Sequence, residues 1–155
     1  MSTTLRPVCP EDEPFLYKVY SNVRLAELAR VDWTPAEKEA FIQTQFSYRK
    51  QGYANQFPQA DNSIILSYNE PVGYMIIDRT EDEICVVDIA LLPEHRNQGI
   101  GTFLMQEIVK EAEQVKKPVR LSVEKDNPGA FRLYERLGFS VTGEDDIRLK
   151  MEYFP

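Results

Sequence analysis

The part of this chain richest in chemistry runs from Asp88 to Thr102, reading Asp-Ile-Ala-Leu-Leu-Pro-Glu-His-Arg-Asn-Gln-Gly-Ile-Gly-Thr. It has the pattern of an apolar strand, a short loop, and two glycines, Gly99 and Gly101, opening an amphipathic helix with Leu104, Ile108, Ala112 and Val115 on one stripe. Backbone N–H groups in such a loop and at the helix start lack intrahelical acceptors. The helix dipole adds positive potential there, so the segment suits a phosphate or pyrophosphate. Glycine lets the anion approach the backbone closely. Two phosphate-binding motifs do not fit. A Walker A loop needs Gly-Lys-Ser/Thr, whereas Gly101 is followed by Thr102 and Phe103; a dinucleotide fingerprint needs a third glycine where Leu104 stands.

What remains is Arg-x-x-Gly-x-Gly, carried by Arg96, Asn97, Gln98, Gly99, Ile100 and Gly101. A second marker follows the next strand: Asn127-Pro128-Gly129-Ala130-Phe131-Arg132-Leu133-Tyr134-Glu135-Arg136-Leu137-Gly138-Phe139. With both motifs, in this order, the chain resembles the GNAT superfamily of acyl-CoA-dependent N-acyltransferases over essentially its whole length. The resemblance implies direct transfer of an acyl group, usually acetyl, from coenzyme A to an amine in a ternary complex. It implies that Arg96, Asn97, Gln98, Gly99, Ile100, Gly101 and Thr102 wrap the pyrophosphate. Main-chain groups of Ile89, Ala90 and Leu91 would pair with the pantetheine arm, and their amides could hold the thioester oxygen. Tyr134 would donate a proton to the leaving thiolate, and Asn127 would contact the cofactor arm or hold the helix that presents Tyr134.

The chemistry sets further requirements. A lysine-like amine has an ordinary pKa of about 10.4 and must lose a proton to attack. The developing oxyanion needs donors aimed at it. For the proton acceptor, Asp88 on the central strand comes first, Glu124 at the end of the next strand second, and water third. Side chains alternate along a strand, so Asp88 shares a face with Ala90. Plainer roles stay open beside these: Tyr134 as a core tyrosine, Asn127 as a helix N-cap, Asp88 as a structural acid with local hydrogen bonds, and His95 as a solvated loop residue.

The acceptor would meet the first part of the fold, residues 21–57. Trp33, Tyr48, Tyr53 and Phe57 lie there with Glu27, Asp32, Glu37 and Glu39, a set suited to a small cationic or amphipathic amine if not merely helix packing and solvated surface. The acceptor is therefore expected to be a small-molecule primary amine. A longer acyl donor, or a protein lysine or N-terminus as acceptor, is the enzymatic alternative, and an acyl-CoA-binding sensor without turnover is the alternative from another class.

These residues need elements to position them. Thr3–Val8 reads as a strand, and Pro10 with Glu11, Asp12 and Glu13 as a helix start. Thr34-Pro35-Ala36-Glu37 announces a second helix, running to Gly52. Ser63–Leu66 and Val72–Ile77 read as antiparallel strands about a turn at Asn69-Glu70-Pro71, and Ile84–Leu92 as the central strand. A helix from Gly99 to Val115, a strand Val119–Glu124, a helix Pro128–Leu137, and strands near Phe139–Thr142 and Ile147–Tyr153 complete the pattern. The expected fold is α/β (α+β): one domain over residues 1–155, with a mixed, largely antiparallel sheet of about seven strands and about four helices.

Composition bounds the rest. The 155 residues carry 18 Lys+Arg against 25 Asp+Glu, a net charge of −7, which disfavours nucleic-acid and anionic-membrane partners. Cys9 and Cys85 are far apart and without metal-ligand spacing, so reduced thiols and no metal site are expected. No apolar run approaches the roughly 18–20 residues that span a bilayer, and the first residues lack a secretory h-region. A soluble cytoplasmic protein, monomer or homodimer, is the expectation.

Overall fold

The computed structural model describes residues 2–155. In chain order the described residues form β1 (Thr3–Pro7), α1 (Glu13–Glu27), α2 (Pro35–Gln56), β2 (Asp61–Ser67), β3 (Glu70–Arg79), β4 (Ile84–Leu91), α3 (Ile100–Val115), β5 (Val119–Glu124), α4 (Pro128–Arg136), β6 (Ser140–Glu144) and β7 (Arg148–Tyr153), with 3-10 turns at Pro10–Asp12 and Pro93–His95. The strands hydrogen-bond in the order β1-β2-β3-β4-β5-β7-β6. The sheet is mixed and mostly antiparallel, with β4 and β5 parallel. No described helix is long and apolar enough to cross a membrane.

The chain forms two compact units, Met1–Tyr74 with Ala90–His95, and Met75–Ile89 with Arg96–Pro155. In the first, β1 pairs antiparallel with β2 from Thr3↔Ser67 to Pro7↔Ser63. Asp12 fixes the entry to α1: its carboxylate accepts two 2.8 Å bonds from the Arg6 guanidinium and one of 2.9 Å from the Cys9 N–H. These partners hold the Asp12 carboxyl well below the usual carboxylate range. The second helix starts as its sequence requires. Thr34 Oγ1 accepts from the Glu37 N–H, and the Glu37 carboxylate accepts from the Thr34 N–H, a reciprocal capping box. It continues past Gly52 to Gln56, because one glycine costs only about 1 kcal/mol in a helix of 22 residues.

The β2–β3 turn lies one residue earlier than expected. Tyr68 (φ 50°) and Asn69 (φ 67°) are both left-handed, the geometry of a two-residue type I′ turn. Glu70 and Pro71 thereby join β3 at its exposed start. The core of this unit includes Val19, Tyr20, Ile42, Ile64, Ile65, Val72 and Tyr74.

In the second unit α3 buries Ile100, Leu104, Met105, Ile108 and Ala112. On β5, Val119, Leu121 and Val123 are buried while Arg120 and Ser122 are exposed. β5 pairs with β7 over six registered positions, from Val119↔Tyr153 to Glu124↔Arg148. The β6–β7 register shifts between Val141 and Gly143, a bulge on β6. Phe139, expected at the start of β6, instead closes α4: its N–H donates to the Tyr134 carbonyl at 3.0 Å.

Gly73 of β3 has a strict packing reason to be glycine. A Cβ there would lie 2.1 Å from the Ala90 carbonyl oxygen and 2.9 Å from Leu91 Cδ2. Gly73→Ala should therefore lower the urea midpoint by the equivalent of about 1–3 kcal/mol, the usual cost of overpacking. An unchanged midpoint would refute this close approach.

Candidate active site

The parallel β4–β5 ladder registers Ile84↔Val119 and Cys85↔Arg120. Both strands run on, β4 to Leu91 and β5 to Glu124. Counted by alternation from these pairs, Asp88 takes the face of Val119, and Glu124 takes the opposite face, with Arg120 and Ser122. Both carboxylates are half-buried. The two candidate bases thus project on opposite sides of the strand pair and are not interchangeable.

The loop after β4 turns twice through left-handed backbone, at Asn97 (φ 59°) and Gly99 (φ 85°). Asparagine tolerates that region and glycine occupies it without strain. Gly99 is the N-cap of α3 and offers no side-chain bond. The first α-helical bond of this helix is Phe103 N–H to the Gly99 carbonyl, 3.0 Å. The N–H groups of Ile100, Gly101 and Thr102 therefore have no acceptor among the described residues. A Cβ built on Gly101 would meet no atom within 4 Å. Packing within the chain does not require glycine there; a group approaching from outside would. Arg96, Asn97 and Gln98 are exposed beside it.

At α4, Asn127 Oδ1 accepts from the Ala130 N–H at 3.2 Å, so the side chain caps the helix. Its amide donors remain for another partner. Tyr134 is 8% exposed, and its ring lies 5.8 Å from that of Phe139. Its hydroxyl makes no hydrogen bond among the described residues. Burial pushes its phenol pKa up, so the proton is retained at neutral pH.

The second unit thus holds Asp88, Ile89, residues 96–102, Glu124, Asn127 and Tyr134, while Ala90 and Leu91 belong to the first. His95 is half-buried in the first unit and its N–H donates to the Leu92 carbonyl. Among the described residues no group of three or more His, Cys, Asp or Glu is arranged to hold a metal ion.

Three of the four acceptor-side carboxylates have partners within the first unit. Glu27 pairs with Arg24, Glu37 closes the α2 capping box, and Glu39 accepts from the Tyr17 hydroxyl at 2.8 Å. Trp33 packs edge-on against Phe41 and Tyr53 against Phe57, while Tyr48 is exposed. The polar centre of this region is a half-buried residue the sequence did not single out. The Arg49 guanidinium lies over the rings of Tyr20 (4.9 Å), Tyr53 (4.8 Å) and Tyr74 (5.5 Å) and donates to the Tyr74 hydroxyl at 3.0 Å. Only Tyr53, four residues on, was a local signal; the other rings arrive from α1 and β3. Gly73 was also missed, although a glycine inside an apolar β run is itself a sign of close backbone approach.

The fold places in succession a strand, a helix start with unmet N–H groups and, on the next helix, a buried tyrosine. The acetyltransferase (GNAT) family profile matches residues 22–139, and the chain belongs to that family. It is 26% identical over 102 residues to the ribosomal protein bS18-alanine N-acetyltransferase of Haemophilus influenzae, 65% of this chain and 66% of that protein. It is 36% identical over 77 residues to the mycothiol acetyltransferase of Saccharomonospora viridis, 48% of this chain and 24% of that one. The chain thus covers less than two thirds of each relative's length. The same fold is found in the PaiA N-acetyltransferase from Thermoplasma acidophilum in complex with coenzyme A, with a TM-score of 0.76, 21% identity and full coverage of both chains.

The cap and any ligand role of Asn127 are separable. Asn127→Ala should cost about 0.5–2 kcal/mol in stability, while Asn127→Ser, which keeps a cap oxygen, should stay near the parent in melting temperature. Equal losses in both variants would show that the cap bond is not what stabilises α4.

Proposed function

We propose that residues 1–155 act as one N-acyltransferase domain that moves an acetyl group from acetyl-CoA to a primary amine, with Tyr134 as the general acid. The observation that carries the reading is the start of α3, where three N–H groups lack an acceptor and Gly101 leaves space that a Cβ would fill. These features fit a pyrophosphate held by residues 96–102 against the chain's net charge of −7. Main-chain groups of Ile89, Ala90 and Leu91 would receive the pantetheine arm, and the amide of Asn127 would be its further donor. Acetyl-CoA supplies the acyl group as a thioester.

The chain's own residues handle protons. The ammonium must lose one proton to attack and a second as the amide forms; Asp88 is the first acceptor, Glu124 the second and water the third, and the protons pass on to solvent. Alternation supports that order: Asp88 has the face of Val119, whose partner across the ladder, Tyr153, lies against Phe139 beside Tyr134. Tyr134 gives its hydroxyl proton to the departing sulfur and regains one from solvent. One N–C bond forms, one C–S bond breaks, and the products are an amide and a free thiol. A phenol whose pKa is raised by burial keeps its proton below its ordinary value of about 10, so the acid remains competent across neutral and mildly alkaline pH.

The acceptor remains open between a small amine and a protein amine. Thiol release from acetyl-CoA against a panel comprising an alanine-initiated peptide, a lysine peptide and small mono- and diamines tests both. Release with at least one is expected; tight coenzyme A binding with no release over any would make the chain an acyl-CoA sensor instead. Tyr134→Phe should lower kcat by about tenfold or more while the Kd for coenzyme A changes less than about twofold. An unchanged kcat with chemistry limiting would remove Tyr134 from the mechanism. Gly101→Ala should leave the melting temperature level or higher, since alanine favours helix, while weakening coenzyme A binding by about tenfold or more in calorimetry. Retained affinity would sink the assignment of the α3 start.

A further inference from the structure

We infer that Tyr153, the last residue of β7, is a positioning residue for Tyr134, acting through Phe139 and Gly138 and anchored by Glu113 of α3. The inference rests on the reading of Tyr134 as the general acid. An acid of this kind must be held to within about 0.5 Å of its working position. α4 is nine residues long, too short to be rigid on its own. The Tyr134 hydroxyl has no hydrogen bond to a described residue, so its orientation depends on packing.

That packing forms a continuous series within the second unit. The Tyr134 carbonyl accepts from the N–H groups of both Leu137 (3.1 Å) and Phe139 (3.0 Å), and Gly138 turns through φ +100° to bring Phe139 back under the helix. The Phe139 ring is 4% exposed and lies 5.8 Å from Tyr134 on one side and 5.7 Å from Tyr153 on the other. Tyr153 also presses on the turn itself: a Cβ at Gly138 would stand 3.2 Å from Tyr153 Cε2. The far end of the series is fixed by the Tyr153 hydroxyl, which donates to Glu113 Oε1. Glu113 sits in the last turn of α3, the helix whose first turn carries the anion-accepting amides. An exposed phenol–carboxylate bond adds little stability. Its geometric effect is larger, because it references the acid to the same helix that would hold the cofactor.

The test is a double-mutant cycle on kcat with the panel amine turned over fastest, backed by a measurement that needs no turnover. Tyr153→Leu should lower kcat about tenfold with the KM for acetyl-CoA changed less than about twofold, and Tyr153→Phe, which keeps the ring, should recover most of the rate. In the Tyr134→Phe background Tyr153→Leu should cost less than about twofold. A full tenfold loss there, or no loss in the parent, would overturn the inference; an unchanged kcat for Tyr134→Phe alone would instead overturn the acid reading. Should Tyr153→Leu not fold, exposed Glu113→Ala carries the same cycle, with about a two- to threefold loss that vanishes in the Tyr134→Phe background, and no loss in the parent again overturns it. Without substrate, 13Cζ-tyrosine NMR, with Tyr134 identified by its absence in Tyr134→Phe, should show its phenol titration moving down toward the ordinary value in Tyr153→Leu. An unmoved titration would overturn the inference even if no amine is turned over.

Discussion

The second unit depends on one electrostatic constraint, the unsatisfied start of α3. A helix can bond all but its first few N–H groups internally, and those few must be met by a cap, by water or by a ligand. Here the capping position is Gly99, which has no side chain to offer, and its left-handed backbone starts the helix with the Ile100, Gly101 and Thr102 amides lacking an acceptor among the described residues. A serine or aspartate cap, which needs extended backbone in place of this left-handed turn, would stabilise a helix start and occupy its donors. The chain forgoes that stabilisation, and the deep burial of Ile100, Leu104, Met105, Ile108 and Ala112 holds the helix instead. An unmet helix start is compatible with folding because the opposite face of the same helix supplies the stability.

The environment of Tyr134 follows a related logic. A phenol is useful as an acid when it stays protonated and has no competing acceptor. Burial achieves the first, and the apolar neighbour Phe139 contributes to the second. The cost is orientation, since packing against a ring constrains a hydroxyl less than a hydrogen bond would. Gly138, Phe139 and Tyr153 offset that cost with close contacts.

The first unit changes how its charged residues should be understood. Carboxylates among aromatics suit a cationic amine, yet Glu27, Glu37 and Glu39 each serve a partner within the first unit. The guanidinium of Arg49, set among Tyr20, Tyr53 and Tyr74, is the charged group most intimately packed with aromatic rings here. Helix surface charges i to i+4 apart satisfy one another cheaply, so their presence in a sequence says little about ligands. An arginine stacked on rings from three elements reflects the tertiary fold.

Much of this protein was legible in its residues. Element types and order followed from hydrophobic period and punctuation: the capping box at Thr34 and Glu37, the Asn127-Pro128 start of α4, and the alternation along β5 all stand as the sequence implies. The family followed from two motifs whose spacing reflects local backbone needs. Boundaries moved where a local rule competed with a stronger one, as at Tyr68-Asn69, where the twist of a two-residue hairpin took precedence over turn-forming Pro71. Tertiary structure alone decided which side chains meet across distance: that Gly73 is glycine because the Ala90 carbonyl occupies its side-chain space, that Asp88 and Glu124 face opposite ways, and that Tyr153 stands behind Phe139. A sequence encodes periodicity and backbone preference over a few residues, and those are local energies. Register between strands and contact between distant rings arise only when the whole chain has closed around its core.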